Sequence, residues 1–268
     1  MILVVGGAGY IGSHLVKELV KTEEVVILDN LSTGFRSLVD SKATLVEGNL
    51  GDEAVLNEIF LKYPIKAVMH FAANSLVGES VQDPYKYYDN NVGATLTLLN
   101  TMLKHDVKNF IFSSTAATYG IEIGESHDPE THLIPIILQH LLGQREKISV
   151  FGTDYDTEDG TCIRDYIHVT DLAQAHIIAL QALLTGKKDT AIYNLGNGKG
   201  FSVKDVIDTC EKVTGVKPTV EYADRRPGDP ARLVASADKI YEELGWKASI
   251  NLEEIIESAW KWHKSQMN

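Results

Sequence analysis

Three glycines spaced three apart, Gly6, Gly9 and Gly12, stand at the head of the chain in the run MILVVGGAGYIG. Met1 to Val5 before them is apolar and β-branched and reads as a buried strand, while Ser13 to Thr22 puts Leu15, Val16, Leu19 and Val20 on one helical face. A glycine-rich strand-to-helix turn suits one kind of chemistry. One glycine permits the tight turn, one lets the main chain approach a pyrophosphate, and one lets the helix pack on the strand, while free N–H groups at the helix start attract the anion. A second strand, Glu24 to Leu28, runs into Asp29, twenty residues past Gly9. A carboxylate there accepts from a ribose diol and repels a 2′-phosphate, so NAD is favoured over NADP, although Arg36 is near enough in sequence to leave NADP open.

Other candidate groups are weaker. Ser113-Ser114-Thr115 ends a predicted strand without a G-x-S-x-G, which speaks against hydrolase chemistry and leaves Thr115 as a hydroxyl for a substrate. His168, Asp171 and His176 match no common ligand spacing and read as a helix start and its core neighbours, so no metal is expected. The acidic loop Asp154 to Asp159 lacks EF-hand order and reads as a solvated loop. His127 and His132 read as loop residues, and Cys162 and Cys210 form neither a disulfide framework nor a zinc knuckle. Arg164, Arg225 and Arg226, the last two beside Gly228-Asp229-Pro230, are open to two readings: surface ion pairs or the grip on a ligand.

The elements that must position these groups alternate. Strands are predicted at Thr44 to Glu47, Ala67 to Phe71 and Asn109 to Phe112, and helices at Glu53 to Leu61, capped by Asp52, and from Tyr85 through Leu103. Five strands interleaved with helices give an α/β fold, a Rossmann-like doubly wound parallel sheet whose ligand lies along the strand C-termini, where Ala72 and Ala73 are small. Beyond residue 120 the pattern changes. Ile121 to Thr131 is polar and irregular, Leu133 to Leu142 and Asp171 to Leu184 read as helices, and Ile148 to Phe151, Arg164 to Val169 and Ala191 to Asn194 read as strands. Ser202 caps a helix that Gly215 closes, and Asn251 with Glu254 forms a capping box for the last helix. The expected organisation is a dinucleotide domain over 1–120 and a smaller α/β substrate lid over 121–268, with some C-terminal segments returning to the first domain.

Composition narrows the class. With 268 residues, 44% hydrophobic, 23% charged and a net charge of −12, the chain is ordinary for a soluble globular protein and ill suited to nucleic acid or an anionic membrane. No apolar run reaches the length of a membrane span and no basic leader precedes the first strand, so a cytoplasmic enzyme is expected.

Taken together, GGAGYIGSH, LDNLSTG, HFAA, VGESV, YYDNN, FIFSSTAATYG, ETHLIP, VFGTDYDTEDGTCIRDYIHVTDLA, YNLGNG, GFSV and RRPGDPARLVA resemble, in order and over nearly the whole chain, the extended short-chain dehydrogenase/reductase family and its UDP-glucose 4-epimerase branch. In the related dehydratases acidic residues usually follow the active-site threonine; here Thr115 is followed by Ala116 and Ala117, which speaks against dehydration. The resemblance implies NAD held by Gly6, Gly9, Tyr10, Ile11, Gly12, Asp29, Asn30, Ser32 and Thr33. It puts Asn49 and Leu50 near adenine, and Phe71, Ala72, Ala73 and Asn90 along the nicotinamide half. Position 49 is commonly Asp in the family, and Asn49 still offers an acceptor. A UDP-hexose would draw on His132, Leu133, Phe151, Arg164, Arg226 and Asp229, where arginines can grip a diphosphate, an aromatic can stack on uracil and a carboxylate can bind ribose. The implied reaction interconverts UDP-glucose and UDP-galactose by transient oxidation at C4, with Thr115 assisting the base, in a homodimer formed through a helical face.

One block of the family pattern is absent. The base of these enzymes is a Tyr-x-x-x-Lys pair one helical turn apart, in which the lysine lowers the phenol's pKa. No tyrosine of this chain is followed four residues on by lysine. The chain runs from Thr118-Tyr119-Gly120 straight into Ile121-Glu122-Ile123, where the family has the Tyr-Lys helix and the next strand. Such a loss should expose a sheet edge and an apolar face. It leaves open a catalytically dead NAD and nucleotide-sugar binder, or an epimerase of another UDP-hexose.

Overall fold

The structure, a computed structural model, describes residues 1–75, 77–115, 132–226 and 229–267. The described residues fall into two compact units, one of 1–75, 79–115 and 172–192, the other of 77–78, 132–171 and 193–267. The irregular segment Ile121 to Thr131, His127, Ala116 and Ala117 lie outside the described residues, as does the expected boundary at 120.

The first unit is built on β1 (Ile2–Val5), β2 (Val25–Asp29), β3 (Thr44–Glu47), β4 (Ala67–His70) and β5 (Phe110–Phe112), all parallel, in the order β3-β2-β1-β4-β5. Successive side chains of a strand point to opposite faces. Leu3 and Val5 therefore join a cluster with Leu28, Leu56, Ile59 and Leu98 on one side, while Ile2 and Val4 join Leu15, Val16, Leu19, Ile27 and Leu180 on the other. Burial on both faces explains why β1 and β2 read as unbroken apolar runs, as a doubly wound sheet requires. Each large aliphatic side chain so buried contributes about 2 kcal/mol. The covering helices are α1 (Tyr10–Leu19), α2 (Glu53–Lys62), the run of α4 (Pro84–Tyr87) into α5 (Thr95–Lys104), and α7 (Val169–Leu184) from Leu172 onward. Asp52 caps α2 by accepting from the N–H groups of Ala54 and Val55. Between Ser75 and α4 lies α3 (Val77–Gln82).

One feature of this unit differs from the sequence reading. The expected continuous helix from Tyr85 through Leu103 is interrupted by a π-helical segment, Tyr88–Ala94, whose wider turn coincides with Asn91 reaching back to Asn74. On the β5 side the sheet has no further strand among the described residues, and Phe112 is 51% exposed, in keeping with the open edge expected from the missing block.

The second unit packs α6 (Leu133–Leu141), α8 (Val203–Thr214) and α10 (Leu252–Ser265) around β6 (Ile148–Phe151), through Ile137, Leu138, Val150, Val206, Cys210 and Ile256. Its strands pair in short sheets: β6 with β9 (Val220–Ala223), and β7 (Ile163–Arg164) between β8 (Phe201–Ser202) and β10 (Arg232–Leu233). Ser202 with Asp205 and Asn251 with Glu254 form full capping boxes, and Gly215 ends α8 in the left-handed region. A short helix, α9 (Asp238–Leu244), completes it. The strand expected from Arg164 to Val169 stops at Arg164, because Asp165 turns its carboxylate to the N–H groups of Asn197 and Ala235 and draws the chain out of the ladder. Ala191 to Asn194 is not a strand either: no strand pairs with it among the described residues, Ile192 is exposed, and Tyr193 instead donates its hydroxyl to Glu243. No described helix is long and apolar enough to cross a membrane.

Candidate functional site

The glycine turn separates the three spacing-equivalent glycines by task. Gly6 sits at φ +80°, and a Cβ there would come within 2.8 Å of the Ala72 nitrogen, so it supplies both the turn and the close approach of β1 to the end of β4. A Cβ on Gly12 would lie 2.1 Å from the Gly6 carbonyl oxygen, which makes this the position of tightest helix-to-turn packing. Gly9 has room: its nearest neighbour would be 3.4 Å away, and it serves as N-cap of α1 without a side-chain bond. The helix starts at Tyr10, three residues earlier than its apolar pattern begins, with no acidic residue in its first turn. Its leading N–H groups have no intrahelical acceptors, an arrangement that favours anions.

Asp29, 8% exposed at the end of β2, receives the Ala8 N–H on one carboxylate oxygen at 2.9 Å and the Leu31 N–H on the other at 2.8 Å. Each oxygen keeps lone pairs for a ribose diol. Asn30 accepts from the N–H and hydroxyl of Ser32, folding the 30–33 loop back on itself. Arg36 pairs with Glu47, which engages the nearby cation that could have met a 2′-phosphate. Asn49 and Asn90, assigned by sequence to opposite halves of a dinucleotide, line one cavity of about 340 Å³ together with Gly51, Asp89, Gly93, Ala94 and Thr97. Asn49 takes the Gly51 N–H on its Oδ1, which leaves that oxygen one further lone pair. Leu50 and Phe71 send their side chains into the two core clusters, Phe71 against the His176 ring at 5.0 Å, so both face a ligand with main chain only. Ala72 and Ala73 follow β4, and Thr115 is exposed beyond β5.

In the second unit the candidate groups form two pairs. Arg164 donates to Asp229 at 3.0 Å and to the Pro230 carbonyl at 2.8 Å, with both charged side chains about four-fifths buried, so β7 is tied to the 229–230 turn. The Arg226 guanidinium lies 3.9 Å from the centre of the Phe151 ring, and its neighbour Arg225 lies 4.2 Å from that of Tyr155 and bonds Asp154. Consecutive arginines thus cover successive aromatics, one at the end of β6 and one in the loop after it. Gly152, at φ +81°, makes this possible, since a Cβ there would strike both Tyr155 and Arg225. The acidic loop is well tied: Asp159 accepts from Thr161 and Ser202, and Asp154 holds Arg225. Tyr155 has a buried hydroxyl without a partner among the described residues, and burial together with the Asp229 charge raises its pKa, so the phenol stays protonated. His132 is the N-cap residue of α6 and Leu133, partly buried, packs against the core of the unit.

His168, Asp171 and His176 do not converge: Asp171 is fully buried and accepts from Ser249 and Ile250, while His176 bonds the Leu172 carbonyl. No group of three metal-ligating side chains occurs among the described residues. Sequence reasoning missed His70 and Asn91, which brace the end of β4, and the Tyr155 ring. The HFAAN and YYDNN blocks contain the first two, but nothing in their spacing says that they meet.

Comparison with known proteins gives this geometry a family. Residues 2–129 match the model of the NAD dependent epimerase/dehydratase family, and residues 122–259 match that of GDP-mannose 4,6 dehydratase. The UDP-glucose 4-epimerase of Halalkalibacterium halodurans is 47% identical, covering 98% of this chain and 95% of its own. That alignment spans 322 positions, more than the 268 residues here, so the relative carries residues this chain lacks. A crystal structure of a UDP-glucose 4-epimerase superposes with a TM-score of 0.94 at 46% identity, covering 100% of this chain and 98% of that one. A Stenotrophomonas maltophila UDP-glucose 4-epimerase with bound NAD and formylated UDP-arabinopyranose gives 0.93 at 32% identity, covering 99% and 98%. A cradle with no room for a Cβ at Gly6 or Gly12 and a largely buried arginine–carboxylate pair accompany this likeness, and the chain belongs to the UDP-glucose 4-epimerase family.

Proposed function

We propose that the chain binds NAD in its first unit and a UDP-hexose through its second, and interconverts UDP-glucose and UDP-galactose. The observation that carries the reading is the glycine cradle: main chain stands where side chains would block it, beside a helix start without acids and a carboxylate suited to a ribose diol. NAD, when bound, supplies reversible oxidation at C4 of the hexose, so no external reductant is consumed. Gly6, Gly9, Gly12 and the first turn of α1 hold the pyrophosphate, Asp29 the adenosine ribose, and the cavity of Asn49 and Asn90 a polar edge of the cofactor. Arg164, Asp229, Arg226 and Phe151 hold the UDP group, the guanidinium groups on the diphosphate and the ring on the base. Thr115 offers its hydroxyl to the sugar.

The absence of a Tyr-x-x-x-Lys pair favours a second reading, a protein that binds both ligands without turning them over. One assay separates the two. The epimerase reading expects UDP-galactose to yield UDP-glucose with NAD present and no added reductant; NAD and UDP binding without product supports the binder. Running UDP-N-acetylgalactosamine alongside reads out an alternative hexose.

A homodimer formed in the cytoplasm completes the proposal. Tyr88, Val92, Leu96 and Leu103 are 49–71% exposed and recur at four- and seven-residue spacing along the π-helical segment and α5, an apolar stripe of the kind that a second copy covers. Sedimentation of Leu96→Glu should return a monomer where the unsubstituted chain is a dimer.

A further inference from the structure

His70 ends β4 with 1% exposure and both ring nitrogens engaged. The Ala72 main-chain N–H donates to Nδ1 at 3.1 Å, so the ring proton resides on Nε2, which donates to the Thr95 hydroxyl at 2.9 Å. Thr95 is the first residue of α5, directly after the π-helical segment. A second tie lies beside this one. Asn91 accepts the Asn74 N–H on Oδ1 at 2.8 Å and donates from Nδ2 to the Asn74 carbonyl at 2.9 Å, while the Asn90 amide donates to the same Oδ1. Two side chains therefore stitch the turn 71–74 to the segment 88–95.

The stitched turn is also the floor under the glycine cradle. Gly6 lies against the main chain of Phe71 and Ala72, where even a Cβ would come within 2.8 Å of both. The 88–95 segment in turn carries Asp89, Asn90, Gly93 and Ala94 of the cavity wall. A neutral imidazole suits the brace, because it must accept at one nitrogen and donate at the other; burial lowers its pKa to about 4 and keeps it neutral.

We propose that His70 and Asn91 are positioning residues for the dinucleotide, holding the β4 turn and the π-helical wall in the one register that receives the half of the cofactor beyond its pyrophosphate. This rests on the NAD reading above. Asp29 and the α1 start, which hold the adenosine ribose and the pyrophosphate, make no hydrogen bond to His70 or Asn91 among the described residues.

The test compares NAD with ADP by calorimetry on the full chain. In His70→Phe, which removes both bonds at similar volume, NAD affinity falls about tenfold while ADP affinity stays within about twofold. His70→Asn, whose Oδ1 can still accept the Ala72 N–H two residues on but which loses the bond to Thr95, recovers only a minor part of the loss. Asn91→Ala gives the same split and serves if His70→Phe does not fold. Parallel loss of NAD and ADP, or unchanged NAD affinity, overturns the inference, since a merely structural residue weakens both ligands or neither. An unsubstituted chain that binds ADP but not NAD overturns the cofactor reading itself, and the inference with it.

Discussion

The two units build their proposed sites from different material. The first uses main chain: glycines without Cβ atoms, helix N–H groups, and a carboxylate already anchored by two backbone donors. The second uses side chains brought from far apart in sequence, Arg164 onto Asp229 and Arg226 onto Phe151. A site of main chain is broken by adding atoms, and its failure spreads into the fold. A site of side chains is broken by removing atoms, and the fold survives.

The largest expected effect follows from the tightest contact. Gly12→Ala forces a methyl toward the Gly6 carbonyl and should cost about 3 kcal/mol of stability and about a hundredfold in NAD affinity. Gly9→Ala, which has room in the empty cradle, should leave the melting temperature nearly unchanged while weakening NAD, because the methyl enters the space of the pyrophosphate. Equal melting curves for the two variants would sink the division of labour among the glycines.

Next come the side chains of the second unit. Arg164→Ala leaves the largely buried Asp229 carboxylate unmatched, and should lower UDP affinity about thirtyfold at a stability cost of about 2 kcal/mol. Arg226→Ala loses the contact over Phe151, worth about 1 kcal/mol or less, and should weaken UDP about tenfold. NAD titrations of both should match the unsubstituted chain. A loss of NAD affinity in either variant would break the comparison.

The pH dependence probes the first unit alone. The folded His70 pKa of about 4 lies below its ordinary 6.5, so between these values the unfolded chain binds more protons. The stabilising contribution is complete above pH 6.5 and is lost as pH falls toward 4, on the order of 3 kcal/mol in all. His176, buried and shifted in the same direction, adds to it. Urea denaturation of His70→Asn should show a shallower decline over that window. The smallest effect belongs to Arg36→Ala: its exposed pair with Glu47 should change stability by about 0.5 kcal/mol or less and leave the preference for NAD over NADP intact.

How legible each region was follows from its material. Gly6, Gly9, Gly12 and Asp29 announce themselves through local spacing, because main-chain geometry at a turn is decided within a dozen residues. Asp52, Ser202, Gly215 and the Asn251–Glu254 box were equally readable, since caps act within one helical turn. Strand ends were less so. Arg164 to Val169 has the composition of a strand, yet Asp165 finds donors thirty and seventy residues away and ends it early. Ala191 to Asn194 has the composition too and pairs with no strand among the described residues.

By itself, then, the sequence determined the doubly wound first unit, the dinucleotide cradle, the family and the absence of its Tyr-Lys pair, because periodicity, turn chemistry and motif spacing are local properties of a chain. Only the tertiary structure decided that Arg226 lies over Phe151 and Arg225 over Tyr155, that Asn49 and Asn90 share one cavity, and that His70 and Asn91 brace the floor of the cradle. Those contacts join residues whose separation along the chain carries no periodic signal, and folding alone brings their side chains within hydrogen-bonding or stacking distance.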